Sequence, residues 1–416
     1  MNAIEYYNEF SSSFRLETLA GPVSVSGNQP FYSHVRVDVT DESLRDERLA
    51  LPGVEATAIQ RLISLAHSTP LNFFWQTSTV QRLLQSPASH PLAAVALCLK
   101  NAHHFALGDT KLDIDILKRV QSAVTSNLLN RVPFADSQIF LCIDHAGLGR
   151  RADFYELSTH KIRSSDDFEC FLDTLLATEE NAIQSTARLS GVRAPLARVL
   201  YRLLENTEEH AKLGFEGAPV QPNSIRGLMV KRILEPASSH ADNGNVLLPT
   251  PCLEFTIFDS GMGFVGSYQQ QLSRNCSSAV QMALDHNNPL HQFSEKDQKA
   301  FFLKCFFRNA ESLKLVPDAR AGHRGYGLHE VLLDVKKMQG KVEFRTEAIH
   351  GVWDYLHREK SDAYTKESSK FEQQLSLATG LTETLRGSQV RIAVRFPGVS
   401  LCADTRQKQA PSHVLA

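Results

Sequence analysis

The chain has 416 residues, 42% of them hydrophobic, with 44 Lys plus Arg against 46 Asp plus Glu. That length predicts two domains with real cores, and the near-zero net charge removes any general electrostatic pull toward nucleic acid or an anionic membrane. The opening "MNAIEYYNEF" has no basic flank leading into an apolar run, and no apolar stretch approaches the roughly 20 residues of a bilayer span, so a cytoplasmic protein with no membrane partner is expected.

Residues 1–185 read as a mixed, helix-rich α/β region of unknown role. After polar, partly extended segments, helical spacing appears in "VEATAIQRLISLAH" and in "TVQRLLQSPASHPLAAVALCLKNAHHFAL", the second interrupted at Pro91. His103 and His104 then read as helix-surface or core residues rather than ligands. "SQIFLCIDHAGLGR" predicts a strand feeding a polar turn, with Asp144, His145, Gly147 and Gly149 in the turn. Seven cysteines (Cys98, Cys142, Cys170, Cys252, Cys276, Cys305, Cys402) lie scattered without a C-x-x-C pair, which predicts buried free thiols rather than disulfides or zinc ligands. No internal repeat or low-complexity tract is visible.

From about residue 186 the pattern changes. "APLARVLYRLLENTEEHAKLG" predicts an amphipathic helix with Leu196, Val199, Leu200, Leu203 and Leu204 on one stripe, ending near Gly214. "SIRGLMVKRIL" and "PCLEFTIF" follow as a hairpin whose second strand delivers Asp259. A helix is expected in "SEKDQKAFFLKCFFRNAESL". "AGHRGYGLHEVLLDVKKMQG" reads as a glycine loop opening a helix that closes at Gly340. "KVEFRTE", "GVWDYLH" and "SQVRIAVRFP" supply further strands, so the fold class is α+β with a largely antiparallel sheet.

Asp259 ends an apolar strand, and a carboxylate there is costly to bury unless a donor such as an adenine amino group meets it. In "FDSGMGF", Gly261 and Gly263 let a flat ring or ribose approach the backbone and let the chain turn. Standing alone, D-x-G-x-G is a weak signal, because turns of this shape also arise for geometric reasons. Gly325 and Gly327 precede a helix whose free N–H groups favour phosphate, although a plain helix entry has the same appearance. Asn206, on the preceding long helix, offers an amide oxygen to Mg²⁺, although a helical Asn standing alone is ordinarily a surface residue.

Taken in order, "LLENTEEHA", "FDSGMGF", "RGYGL" and "RGSQVRIAVRFP" resemble the Asn box, the two glycine boxes and the final strand of the GHKL superfamily. This is the Bergerat-fold module of gyrase-type topoisomerases, ninety-kilodalton heat-shock chaperones and sensor histidine kinases. The resemblance covers residues 186–398. It implies a C-terminal two-layer α/β sandwich of mixed, largely antiparallel sheet, a lid at 264–324, and a tail at 399–416. It also implies ATP and Mg²⁺ as cofactors, with Asn206 as the metal ligand. Asp259, Gly261, Gly263, Gly325, Tyr326, Gly327, Leu328 and Ser388 would hold the nucleotide, the Ser388 hydroxyl supporting Asp259.

One position departs from that pattern. Hydrolysing members carry a Glu four residues before the Asn, and here that position is Arg202, which cannot act as a base at neutral pH but can bind a γ-phosphate. Glu209 and His210 share the face of Asn206 and can contact phosphate, metal or water, or simply form a solvated helix end. The expectation is an ATP-dependent conformational switch with slow or absent hydrolysis and a protein partner or homodimer. Stand-alone modules of this kind resemble proteins of bacterial regulatory or defence systems. A histidine-kinase-like protein kinase and a non-hydrolysing ATP-dependent scaffold stay open as alternatives.

Overall fold

The computed structural model describes residues 16–18, 35–41, 49, 51–68, 70–85, 90–100, 102–107, 113–125, 137–143, 153–156, 158–159, 161–177, 182–210, 225–235, 250–264, 266–267, 302–303, 305–306, 327–347, 349–356, 375–378 and 385–395. The strands are β1 (Leu16–Thr18), β2 (Val35–Val39), β3 (Leu71–Trp75), β4 (Ala102–Ala106), β5 (Ser137–Ile143), β6 (Ile225–Glu235), β7 (Thr250–Asp259), β8 (Lys341–Glu347), β9 (Ile349–Asp354), β10 (Leu375–Ala378) and β11 (Leu385–Arg395). The helices are α1 (Val54–Ser68), α2 (Thr77–Gln85), α3 (Pro91–Cys98), α4 (Ile114–Thr125), α5 (Ser165–Ala177), α6 (Ala182–His210) and α7 (Gly327–Lys337). The fold is α+β, with two sheets.

In the smaller sheet, ordered β1-β2-β3-β4, β2, β3 and β4 run parallel, as helical crossovers require, and β1 is antiparallel. The long helical stretch expected around Pro91 resolves differently. Pro91 starts α3, where its missing N–H costs nothing, and the segment containing His103 and His104 is strand β4. Parallel pairing with β3 overrides the local helical pattern: Phe73 stands opposite His104, their rings 5.6 Å apart, and Trp75 Nε1 donates to His104 Nδ1 at 2.9 Å. Burial, reinforced by neighbouring His103, pushes the His104 imidazole down to about 4.

The larger sheet, ordered β10-β9-β8-β11-β7-β6-β5, is antiparallel throughout. The β6–β7 hairpin is present, with Arg226 opposite Asp259 at one end and Glu235 opposite Thr250 at the other. Strand β5 precedes residue 185 yet pairs with β6 as the edge of this sheet, so the sheet crosses the domain boundary drawn from the sequence. Helix α6 likewise starts at Ala182 and carries Pro195 within it.

Alternation along each strand separates two faces. Leu228, Val230, Phe255, Ile257, Val342, Phe344, Val390 and Ile392 join the apolar faces of α5, α6 and α7 in one core. The opposite face is also covered, which adds a helical layer to the two layers expected. There Leu141, Met229 and Phe258 share a second core with Ile59 and Ile63 of α1, Val95 of α3, and Phe73 and Trp75 of the parallel sheet. Every residue of α3 is buried, in keeping with a helix apolar all round.

Beyond that core, the second face carries a charged cluster, followed by a small apolar one of Ile233, Cys252, Leu356 and Ala393. Arg391, 1% exposed, reaches Glu235, Glu254 and Glu343, the last at 2.7 Å, and Lys341 bridges Glu235 at 2.6 Å and Glu343 at 2.9 Å. Burial alone would raise the Glu343 carboxyl, but Arg391 and Lys341 outweigh it and hold it well below the usual carboxylate range. The start of α1 docks on this cluster. Gly53 N donates to Glu254 Oε2 at 3.0 Å, and Lys231 Nζ pairs with Glu55 at 2.9 Å.

Among the described cysteines, Cys98, Cys142 and Cys252 are buried, Cys305 is partly buried, Cys170 is exposed, and none of the five is in a disulfide. Burial pushes the Cys98 thiol up to about 12. The turn with Asp144, His145, Gly147 and Gly149, together with Cys276, Cys402 and the 399–416 tail, lies outside the described residues. So does most of the 264–324 lid, but Phe302 and Phe306 are fully buried against Phe344 and Trp353. Those two rings belong to the core rather than to a loop. No helix among the described residues is long and apolar enough to cross a membrane.

Candidate functional site

On the α6 and α7 side of the larger sheet, the apolar rows stop abruptly at a transverse polar row. Arg226 on β6 stands opposite Asp259 on β7; Ser388 on β11 lies beside Asp259 and opposite Thr346 on β8. All four are in phase with the apolar residues of their strands, so all four point toward the helices. Each is at least nine-tenths buried.

Asp259 is the best-connected member. Its Oδ1 accepts from Gly261 N at 2.9 Å and from Ser388 N at 3.3 Å, and its Oδ2 accepts from the Ser388 hydroxyl. The expected Ser388 contact is therefore present. A carboxylate has about four lone-pair directions, so three protein donors leave one on Oδ2. Burial raises the Asp259 carboxyl, against the lowering effects of Ser388, Gly261 and Arg226.

The two turns beside it need glycine. Gly263 has φ +75°, and a Cβ there would come 2.2 Å from Thr346 Oγ1. Gly387 has φ +82°, and its Cβ would come 1.9 Å from the Asp259 carbonyl oxygen. Only a residue without a side chain fits either position. Thr346 Oγ1 in turn accepts from Phe264 N at 3.2 Å, which ties the end of the first glycine turn to β8.

Asn206 lies near the C-terminal end of α6, with its side chain against the first residue of α7; a Cβ on Gly327 would sit 3.5 Å from Asn206 Nδ2 in ordinary contact. That Nδ2 is buried and has no hydrogen-bond partner among the described residues. Two rungs further back, the same helix pair is fastened by ions. Arg202 pairs with Glu330 at 3.0 Å, and Arg198 grips Asp334 through two bonds of 3.0 and 2.9 Å. Residues four apart on α6 meet residues four and then three apart on α7, so Asn206 and Gly327 form the last rung. Arg202 also reaches Glu205 at 3.3 Å, so its guanidinium is shared between the two glutamates.

Glu208, two residues beyond Asn206, connects the rungs to the polar row. Its carboxylate pairs with Arg226 and accepts from Tyr155 OH at 2.8 Å. Glu209 and His210 occupy the last turn of α6, and their side chains lie outside the described residues, as do Gly325 and Tyr326. Leu328 is buried in the first turn of α7.

No family model, curated protein or solved structure matches this chain. The meaning of the site rests on its own residues. Four of them escaped the sequence reading: Arg226, Thr346, Glu208 and Tyr155. Phase was the usable signal for two: Arg226 is in register with Leu228 and Val230, and Thr346 with Val342 and Phe344, so each marks where an apolar row turns polar. Glu208 and Tyr155 carried no such signal. No cluster of three or more His, Cys, Asp or Glu suited to a metal is present among the described residues.

Proposed function

We propose that this chain binds ATP with Mg²⁺ in a Bergerat-type site and works as a nucleotide-dependent conformational switch. The carrying observation is the buried row Arg226–Asp259–Ser388–Thr346 beside a glycine-only turn, linked through Glu208 to the helix end bearing Asn206. Asp259 keeps one lone pair for the amino group of adenine while Ser388 and Gly261 hold it in place. Gly261 N holds the carboxylate in the turn beside the base, and Gly263 lets that turn close on Thr346. At the other end, the first turn of α7, Gly327 and Leu328, presents backbone N–H groups and the positive end of a helix dipole to phosphate.

The Asn206 side chain fits a magnesium role. Its amide is near that helix start and its Nδ2 is unpaired among the described residues, so the amide can turn its oxygen toward a cation held mainly by phosphate and water without giving up a described hydrogen bond of that nitrogen. The ion would neutralise phosphate charge. No carboxylate occupies the Arg202 position, and Arg202 is held by Glu205 and Glu330, which favours binding with slow turnover or none.

Calorimetry with ATP and excess Mg²⁺ tests the reading directly, and a chain giving no binding heat refutes it. Single-turnover phosphate release separates a slow ATPase from a non-hydrolysing scaffold, and transfer of labelled γ-phosphate to protein would identify a kinase. Asn206→Ala is expected to weaken Mg·ATP binding about tenfold while leaving metal-free adenosine affinity unchanged. Equal losses for both ligands would remove Asn206 from the metal role.

A further inference from the structure

Between Leu385 and Ser388 the register of β11 against β8 shifts, and the pairing of β11 with β7 begins only at Gln389. A bulge of this kind takes the Arg386 backbone groups out of the sheet, yet they are covered and must find partners elsewhere. They find them on α1. Arg386 N donates to Ser64 Oγ at 2.8 Å, and Gln60 Nε2 donates to the Arg386 carbonyl. The same Gln60 Nε2 donates to the carbonyl of Asp259 at 2.7 Å. Gln60 is 1% exposed, and its Oε1 has no hydrogen-bond partner among the described residues, so the amide is committed through its nitrogen.

The bulge and Asp259 are thus gripped from both faces of the sheet. On one face Ser388 Oγ and N hold the carboxylate; on the other, α1 holds the backbone that carries both residues. We infer that the N-terminal α/β unit regulates nucleotide binding through α1, with Gln60 and Ser64 as positioning residues that set the Ser388–Asp259 geometry; this rests on the ATP reading of the site. When α1 is docked, the carboxylate is aimed. When α1 shifts, the Gly387 turn loses its backing and Asp259 loses its alignment. Linkage makes the effect reciprocal, so bound nucleotide strengthens the docking of α1 by the same factor.

The test uses the full chain, calorimetric ATP affinity and the thermal midpoint. Gln60→Ala is expected to weaken ATP binding about tenfold, and Gln60→Glu by more, because it turns an acceptor toward two carbonyl oxygens. Leu175→Ala removes core packing on α5, away from α1 and the bulge; it should lower the midpoint while leaving affinity within about twofold. Gln60→Ala affinity equal to wild type overturns the inference, and so does an equal affinity loss in Leu175→Ala. A wild-type chain that binds no ATP overturns the ATP reading and this regulation together. If Gln60→Ala does not fold, hydrogen exchange of the wild type decides: slower exchange across 59–66 on adding ATP supports the coupling, and unchanged exchange overturns it.

Discussion

Asp259→Asn is expected to weaken ATP binding by at least about 100-fold while the thermal midpoint stays within about 3 °C of wild type. The two effects separate because the protein and the ligand use different parts of the side chain. An amide oxygen in the Oδ1 position still accepts from Gly261 N and Ser388 N, and the Ser388 hydroxyl can rotate to accept from the new NH₂. A neutral amide also escapes the cost of burying a charge. For an adenine amino group, however, the substitution sets a donor against a donor, and the base has no other partner at that point. Affinity retained to within a few-fold would show that Asp259 does not meet the base, and the ATP reading would fall with it.

The second large effect belongs to stability. Arg391→Met should cost roughly 3–5 kcal/mol at pH 7, because it leaves Glu235, Glu254 and Glu343 facing one another with Lys341 as the remaining strong cation. The pH dependence identifies the cause. Glu343 titrates lower in the native protein than in the unfolded chain, so its contribution is complete above the unfolded value of about 4.5 and drains away as the pH falls toward the native one. Wild type therefore loses stability below about pH 5, and the gap between wild type and Arg391→Met narrows over the same range. Denaturant titrations at pH 7 and pH 4 check both statements. A gap independent of pH would assign the cost to lost packing instead of lost charge pairing.

Much of the larger sheet was legible. "LEFTI", "KVEFRTE" and "SQVRIAVRFP" alternate in period two and end at turn residues, and the hairpin delivering Asp259 follows from loop position alone. Partnership was not legible. "SQIFLCI" reads as a strand, but nothing local says that it pairs with β6 more than eighty residues later. The second face was hidden for a different reason. Lys231, Glu254, Glu343 and Arg391 fall on the alternate positions of their strands, where polar residues ordinarily mean water. Here they meet α1, and alternation cannot distinguish solvent from a charged protein surface. Gln60 was invisible for the same reason: one polar residue among several on this helix looks incidental until the bulge above it is seen.

The rungs that tie α6 to α7 make those two helices a stiff fork, and Asn206 sits on its tip beside Gly327. The base end of the proposed ligand is braced by a different part of the chain, through β11 and α1. The two ends meet at the Arg226–Glu208 pair. On the proposed reading, a signal arriving through the N-terminal unit would act first on how long a nucleotide dwells, and would reach the phosphate end only through that pair.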